Sequence, residues 1–186
     1  MRKVIVFQQV SLDGYFVDNH GEMMWAKEGS DAESDAFASQ NASSDGVLAF
    51  GRVTYEMMSG FWPTPQAHEM LPVVAEYMNK RPKIVFSRSL RIADWNNTTI
   101  VHEDPVTYVQ SLKKQEGPGI AILGSGSIVA HLAPHGLIDE YQLMVCPLVL
   151  GAGRTMFEGV PEPLHFTLNA SRVFQSGKVF LSYSSV

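Results

Sequence analysis

Residues 47–58 read VLAFGRVTYEMM, and this stretch decides the fold class. Its first four residues are apolar, so Gly46–Phe50 is predicted to be a buried strand. Gly51 and Arg52 break the apolar run, and Arg52–Met58 is predicted to be a short helix. A short buried strand that passes directly into a helix is typical of α/β proteins with parallel crossovers.

The same alternation recurs along the chain and predicts one α/β domain over residues 1–186, with a mixed, mostly parallel sheet flanked by helices. Two β-rich runs joined by Gln-Ser-Gly predict a C-terminal antiparallel hairpin, Leu164–Phe174 with Lys178–Tyr183. Ser11–Gly29 and Phe61–Pro65 are predicted to be loops. The other predicted strands are Lys3–Phe7, Lys83–Phe86, Thr99–Val101, Ile120–Leu123 and Ile138–Cys146, and the other helices are Ser30–Ala42, Leu71–Asn79, Asp104–Lys114 and Ser125–Leu132.

The composition argues against a nucleic-acid-binding protein, a membrane protein and a metalloprotein. The formal net charge is −5 and the basic clusters are short, so a nucleic-acid partner is not expected. No apolar run approaches the ~18 residues of a membrane span, and the one at the N-terminus is too short for a signal segment, so a cytoplasmic protein is the expectation. Cys146 is the single cysteine and the six histidines are dispersed, so no metal site is expected.

Small, hydroxylic or cationic residues follow three of the predicted strands. The carboxyl ends of parallel strands share one edge of a sheet, which is where such folds bind ligands. Helix amides, hydroxyl groups and a guanidinium are suited to phosphate oxygens. Each stretch alone is equally consistent with a turn or a solvated polar loop, but together they predict a phosphate site. The three stretches are Gly51-Arg52-Val53-Thr54, Ser87-Arg88-Ser89 and Gly124-Ser125-Gly126-Ser127.

The glycines at 124 and 126 do not belong to the two best-known phosphate motifs. In GSGSIV, Val129 stands where the dinucleotide fingerprint has its third glycine or alanine. The lysine that follows the glycines of a P-loop is also missing. The sequence therefore favours neither a Rossmann dinucleotide site nor an ATPase.

The order of several short motifs resembles the RibD C-terminal domain family, the riboflavin-biosynthesis reductase branch of the dihydrofolate reductase-like superfamily. The resemblance implies a dihydrofolate reductase-like fold, NADPH lying across the strand ends, and a homodimer. It covers nearly the whole chain and rests on SLDGY (11–15), GRVTYE (51–56), VFSRSL (85–90), LGSGS (123–127), DEY (139–141) and PLVLGAG (147–153).

The resemblance also implies roles for individual residues. The first strand end would lie near the nicotinamide and the substrate, with Gln9 and Val10 on the cofactor side and Ser11 to Gly14 beyond them. The other positions that it assigns to NADPH are Gly51, Arg52 and Thr54 for the phosphates, Ser87, Arg88 and Ser89 for the adenosine ribose with its 2′-phosphate, and Gly124, Ser125, Gly126, Ser127 and Ile128 for the pyrophosphate.

The sequence differs from the riboflavin reductases in the segment that binds their substrate. Their D-x-P-x-L-T-x-R segment, which serves a ribosyl-phosphate substrate, is replaced here by MMSGFWPTP (57–65), which has no arginine. This favours a more apolar ligand near Phe61 and Trp62. Trp25 is a candidate for the same cleft, with loop anchoring as the alternative. The ligands of the zinc deaminase that accompanies many of these reductases cannot be formed with one cysteine.

Asp13 is the candidate proton donor, because it follows the first strand beside the expected nicotinamide position. An Asp-Gly turn with Gly14 is the alternative interpretation. The predicted function is an NADPH-dependent reductase that transfers hydride to a C=N or C=O bond of a small flat substrate, such as a pteridine or pyrimidine. The alternatives are a non-catalytic nucleotide-binding module and a riboflavin-pathway reductase with an unseen substrate contact.

Overall fold

A computed structural model describes residues 1–42 and 46–186. An eight-stranded sheet runs through its centre in the order β5-β4-β3-β6-β1-β7-β10-β9, and β2 and β8 form a separate antiparallel pair. The strands from β5 to β7 in this order are parallel, and β10 and β9 are antiparallel. Their bounds are β1 (Val4–Ser11), β2 (Tyr15–Val17), β3 (Val47–Gly51), β4 (Lys83–Phe86), β5 (Thr98–Val101), β6 (Ile120–Leu123), β7 (Glu140–Cys146), β8 (Arg154–Thr155), β9 (Phe166–Val173) and β10 (Val179–Ser185).

Helices cover both faces of this sheet, and several begin at residues with clear capping chemistry. The Asp104 carboxylate accepts a hydrogen bond from the Thr107 amide, and Pro105 occupies the first helical position. Within the described ranges, no helix combines the length and the apolar composition needed to cross a bilayer. The helices are α1 (Ala32–Ala42), α2 (Arg52–Phe61), α3 (Pro65–Met70), α4 (Pro72–Lys80), α5 (Pro105–Lys113) and α6 (Gly126–Leu132), with 3₁₀ turns at Met24–Lys27 and Ala133–His135.

The two faces of the sheet carry separate apolar cores. On one face, side chains of β1, β3 and β6 pack against α5 and α6. On the other face, Leu48 and Phe50 of β3 pack against Tyr55 of α2 and Val74 of α4. All five residues of β3 are buried, which explains why residues 47–50 form a continuous apolar run rather than an alternating one.

The predicted fold class and the C-terminal hairpin are confirmed, since β10 pairs antiparallel with both β7 and β9. Two predicted loops were wrong in part. Ser11–Gly29 contains β2 and a 3₁₀ turn, and α2 continues to Phe61. Strand β2 pairs with β8, about 140 residues along the chain (Tyr15 opposite Thr155), so no local pattern could reveal it. Residues 43–45 lie outside the described residues.

Lys83, the first residue of β4, is fully buried. Its ammonium donates to the carbonyl oxygens of Asn79, Arg81 and Asn96 at 3.1, 2.8 and 3.1 Å. It also lies 4.4 Å from the centroid of the Trp95 ring. Removal from water, and secondarily the positive charge of Arg81, lowers the pKa of Lys83 to about 8 from its ordinary value of 10.5.

This lowered pKa predicts a pH-dependent stability. Between pH 8 and about 10, the unfolded chain holds a proton at Lys83 that the folded protein has released, so the free energy of unfolding rises with pH. One such proton contributes a slope of at most ~1.4 kcal/mol per pH unit. The Lys83→Met variant should lack this contribution. Urea unfolding at several pH values between 8 and about 10 measures the free energy of unfolding of both proteins. Lys114→Met, which removes an exposed lysine, serves as the control, and parallel pH profiles for wild type and Lys83→Met would contradict the prediction.

Candidate active site

The ends of β3 and β6 are joined by one serine hydroxyl. The amide of Gly51 donates to Ser125 Oγ at 2.6 Å, and Ser125 Oγ donates in turn to Thr54 Oγ1 at 2.9 Å. Ser125 and Thr54 are both buried. Two of the three strand-end stretches identified in the sequence therefore meet, and the hydroxyl groups of Ser125 and Thr54 are already engaged with one another.

The backbone at Gly124 and Ser125 is left-handed, with φ angles of 61° and 63°. Serine rarely adopts this conformation, whereas glycine does so freely. A Cβ atom on Gly124 would lie 3.1 Å from Thr54 Cγ2, and one on Gly126 would lie 2.8 Å from Phe16 Cε1. The small size of these glycines therefore lets protein segments pack together, and their assignment to the cofactor stays a prediction.

A cavity of about 230 Å³ lies over the joined strand ends. Its lining includes Arg52 and Arg154 and, within the described residues, no carboxylate. Helix α2 begins there without a side-chain cap, which leaves its first amides available to an anion. The predicted cofactor residues that line this cavity are Gly51, Arg52, Thr54, Gly124, Ser125, Ser127 and Ile128.

The two arginines of this cavity differ in their surroundings. The Arg52 guanidinium forms an exposed ion pair with Glu56 at 2.8 Å, one helical turn away. Arg154 was missed by the sequence analysis, although it directly follows the PLVLGAG motif. The pairing of β8 with β2 brings it to the cavity, where its guanidinium carbon lies 5.9 Å from the centroid of the Phe16 ring.

The third strand-end stretch, Ser87-Arg88-Ser89, lies beside this cavity but does not line it. The preceding residue, Phe86, lines it and pairs with Gly51. The Ser87 hydroxyl accepts from the amides of Ser89 and Leu90, which makes the stretch a tight turn. Arg88 is exposed and makes no hydrogen bond or ion pair with the part of the chain that the structure describes.

A second cavity, of about 510 Å³, lies on the sheet face that carries α1 and α4. Its floor includes Phe7, Leu123 and Met144 from three neighbouring strands, and Trp62 lines it where α2 ends. Gln9, near the end of β1, lines it too. Because Gly124 and Met23 line both cavities, the two spaces adjoin at the carboxyl end of β6.

Several residues predicted for the substrate or the cofactor lie outside the linings of both cavities. Trp25 is buried against Cys146 and donates its indole N–H to the Glu22 carbonyl, so it anchors the loop. Phe61 packs edge-on against Trp62, 5.1 Å between centroids, and does not line either cavity. Val10 is buried in the core, and Gly14 forms a turn at φ 87°. Of the residues proposed for the substrate, Trp62 alone lines the larger cavity in the described chain.

The Asp13 carboxylate is exposed and joins its own loop to the loop that contains residues 150 and 151. It accepts from the Ser11 hydroxyl at 2.6 Å and from the amides of Gly151 and Leu150 at 2.8 and 3.2 Å. The hydrogen bond from Ser11, followed by those from the two amides, lowers the pKa of Asp13. An ionised carboxylate outside both cavity linings is a poor proton donor, so these contacts favour the alternative interpretation, a structural turn. The catalytic role stays a prediction.

The larger cavity also presents charged side chains that the sequence analysis did not select. Three cations line it, Lys27, Arg81 and Lys178, and among the described lining residues Asp35 of α1 is the one carboxylate. Asp35 stands one helical turn after Asp31, which caps α1 by accepting from the Ser34 amide at 2.6 Å. Lys178 directly precedes β10, and only the folding of the hairpin onto β7 brings it to the cavity.

The profile of the RibD C-terminal domain matches residues 2–180. The chain belongs to the RibD C-terminal domain family. Two proteins of Bacillus subtilis (strain 168) are similar over most of their length, and both are described as uncharacterized. YyaP is 28% identical over 182 residues, which is 98% of this chain and 94% of that protein. YwjB is 26% identical over 173 residues, 93% and 92% of the two chains.

Three solved structures share the fold of this chain at low sequence identity. A putative riboflavin biosynthesis protein from Shewanella sp. PV-4 superposes with a TM-score of 0.74 at 22% identity, covering 99% of both chains. A pyrimidine reductase-like protein from Corynebacterium diphtheriae gives 0.65 at 11% identity, covering 100% of this chain and 92% of that one. A deaminase/5-amino-6-(5-phosphoribosylamino)uracil reductase from Thermotoga maritima gives 0.70 at 14% identity, with 100% of this chain matching 57% of that one.

The Ser125 bridge predicts a stability difference between two serines of one loop. Ser125→Ala leaves the buried Gly51 amide without its acceptor and keeps the left-handed backbone, so it should lower the free energy of unfolding by about 1–3 kcal/mol. Ser127→Ala, at an exposed position two residues on, should change it by less than ~0.5 kcal/mol. Urea unfolding monitored by circular dichroism measures both, and equal effects would contradict the bridge.

Proposed function

We propose that this protein is an NADPH-dependent reductase that transfers hydride to a C=N or C=O bond of a small flat substrate. The observation that carries the proposal is the meeting of two cavities at Gly124 and Met23. One has the cations and helix amides suited to phosphates, and the other is large and mostly apolar. Membership of the RibD C-terminal domain family supports a reductase-like role.

The smaller cavity would hold the diphosphate part of the cofactor. The first amides of α2 and the guanidinium groups of Arg52 and Arg154 would supply donors; the described lining holds no carboxylate, and Arg52 would exchange its exposed pairing with Glu56 for the phosphate. NADPH supplies the hydride when bound. The exposed Arg88, next to this cavity along the sheet edge, is positioned to select the 2′-phosphate, as the family resemblance implies.

The larger cavity would hold the substrate against the nicotinamide end of the cofactor. Its apolar floor and the Trp62 ring exclude water from one face of a flat molecule, which orients the acceptor carbon. Gln9 offers an amide at the sheet edge where the two cavities adjoin, and the Asp35 carboxylate can accept a hydrogen bond from a ring N–H. The homodimer and the cytoplasmic location expected from the sequence stay predictions.

The Thermotoga relative is described as a deaminase and a 5-amino-6-(5-phosphoribosylamino)uracil reductase. A flat nitrogen heterocycle of that general type fits a cavity of about 510 Å³. The segment MMSGFWPTP contributes Met58 and Trp62 to the lining, both apolar contacts. We therefore propose a substrate with a larger apolar part than a ribosyl phosphate has.

Arg88 provides the test of the cofactor. If its guanidinium contacts the 2′-phosphate, a charge-assisted bond of about 1.5–3 kcal/mol makes NADPH bind roughly 10- to 100-fold more tightly than NADH. Arg88→Ala should remove that preference and leave NADH affinity within about twofold. Titrations monitored by tryptophan fluorescence measure both affinities.

Arg91→Ala is the matched control, because it removes an exposed guanidinium from the same loop and should keep the preference. Equal affinity of the wild type for NADPH and NADH would overturn the role of Arg88. Absence of binding for both would overturn the reductase proposal. Tight NADPH binding without oxidation by any carbonyl, imine or pteridine would favour a non-catalytic nucleotide-binding module instead.

A further inference from the structure

Two of the buried lysines of this protein have their positive charge compensated by other protein groups. Lys113 forms an ion pair with Asp139 at 2.5 Å and also donates to the Leu137 carbonyl. Lys83 donates to three carbonyl oxygens and lies over an indole ring. Such partners are what makes burial of a charged side chain tolerable.

Lys178 is equally buried, at 3% exposure, but is only partly compensated. Its ammonium donates to the Ala26 carbonyl at 2.8 Å and to the Ser30 hydroxyl. No carboxylate of residues 1–42 or 46–186 forms an ion pair with it. Because an ammonium has three donors, one N–H of Lys178 has no acceptor in the described part of the protein.

Lys178 lies in the wall of the larger cavity, so a ligand bound there can reach this free donor. Lys178 lines the larger cavity, as do both of its partners, Ala26 and Ser30. It precedes Val179, which pairs with Val145, and Val145 pairs with Val10 near the end of β1. Lys178 therefore lies at the carboxyl-end edge of the sheet, the end at which Gln9 lines the cavity and the smaller cavity adjoins it.

Three of the four charged side chains among the described lining residues of the larger cavity are cations. Lys27 and Arg81 line it together with Lys178, and Asp35 is the one acid among the described lining residues. This excess of cations occurs in a protein whose formal net charge is −5. An apolar cavity of low dielectric strengthens the attraction of such cations for an anion.

We infer that Lys178 binds a carboxylate carried by the substrate of the proposed reductase, and the identity of the ligand as substrate rests on that proposed function. One oxygen of the carboxylate accepts the free ammonium N–H. The Ser30 hydroxyl accepts from Lys178 and can donate its own hydrogen to the second oxygen. Two donors suit the two oxygens of a carboxylate, and the apolar floor suits a flat ring attached to it.

The test compares three flat aromatic carboxylates with their neutral amides in the absence of NADPH. The pairs are benzoate with benzamide, 2-naphthoate with 2-naphthamide, and quinoline-2-carboxylate with its amide, with affinities measured by ligand-observed NMR at pH 7. In the wild type at least one carboxylate should bind 10-fold or more tightly than its amide. Lys178→Met should reduce that preference to within about twofold, whereas Lys178→Arg should retain most of it.

Lys27→Met is the matched control: its ammonium belongs to the same lining but is exposed and screened by water, so this variant should keep most of the preference. Ser30→Ala keeps the buried ammonium and should lower the preference a few fold, which tests the proposal even where Lys178→Met does not fold. The inference is overturned if no carboxylate is preferred over its amide in the wild type, or if Lys27→Met and Lys178→Met lose the preference equally. Since NADPH is absent, this test can fail while the cofactor titration succeeds, and the reverse.

Discussion

The Ser125 hydroxyl is the interaction on which the arrangement of the site depends. It accepts from the Gly51 amide and donates to Thr54, so one oxygen atom holds the end of β3, the start of α2 and the start of α6 together. This contact requires the left-handed backbone at Gly124 and Ser125, which a side chain larger than hydrogen at 124 would crowd against Thr54. Serine in that conformation is strained, and its two buried hydrogen bonds compensate for the strain.

The strand order explains why two cavities adjoin at this point. Strand β6 lies between β3 and β1; the chain continues from both of these strands towards the β5 edge, whereas from β6 it continues towards β7 and the opposite edge. Helix α4 packs over β3 and β4, while Phe37 of α1 packs on Phe174 and Phe180 beside the hairpin. Between these helices, side chains of β1 and β6 line the larger cavity. The cavity extends to Gly124 at the carboxyl end of β6, and the carboxyl ends of the strands are the usual place for a ligand in an open α/β sheet.

The buried lysines show how differently one residue type is used in a small fold. The Lys83 ammonium donates hydrogen bonds to three carbonyl oxygens, and the Lys113 ammonium forms an ion pair with Asp139. In both, protein groups accept hydrogen bonds from the ammonium, but the pKa of Lys83, lowered to about 8, shows that neutral carbonyl oxygens do not fully offset the burial of its charge. Lys178 has two neutral partners and lines the larger cavity, which is why we propose that an anion there completes its contacts.

The sequence by itself determined the sheet class, the buried β3 strand, the C-terminal hairpin and the clustering of the GRVT and GSGS stretches, because these follow from local apolar runs, turn residues and strand-to-helix order. The roles of the proposed cofactor residues stay predictions. Only the tertiary structure decided which groups the Trp25 indole and the Asp13 carboxylate contact, that Arg154 reaches the smaller cavity, and that Lys178 is buried beside the larger one. These facts depend on pairings between distant segments, such as β2 with β8 and β10 with β7, and a one-dimensional pattern does not encode which distant strands become neighbours.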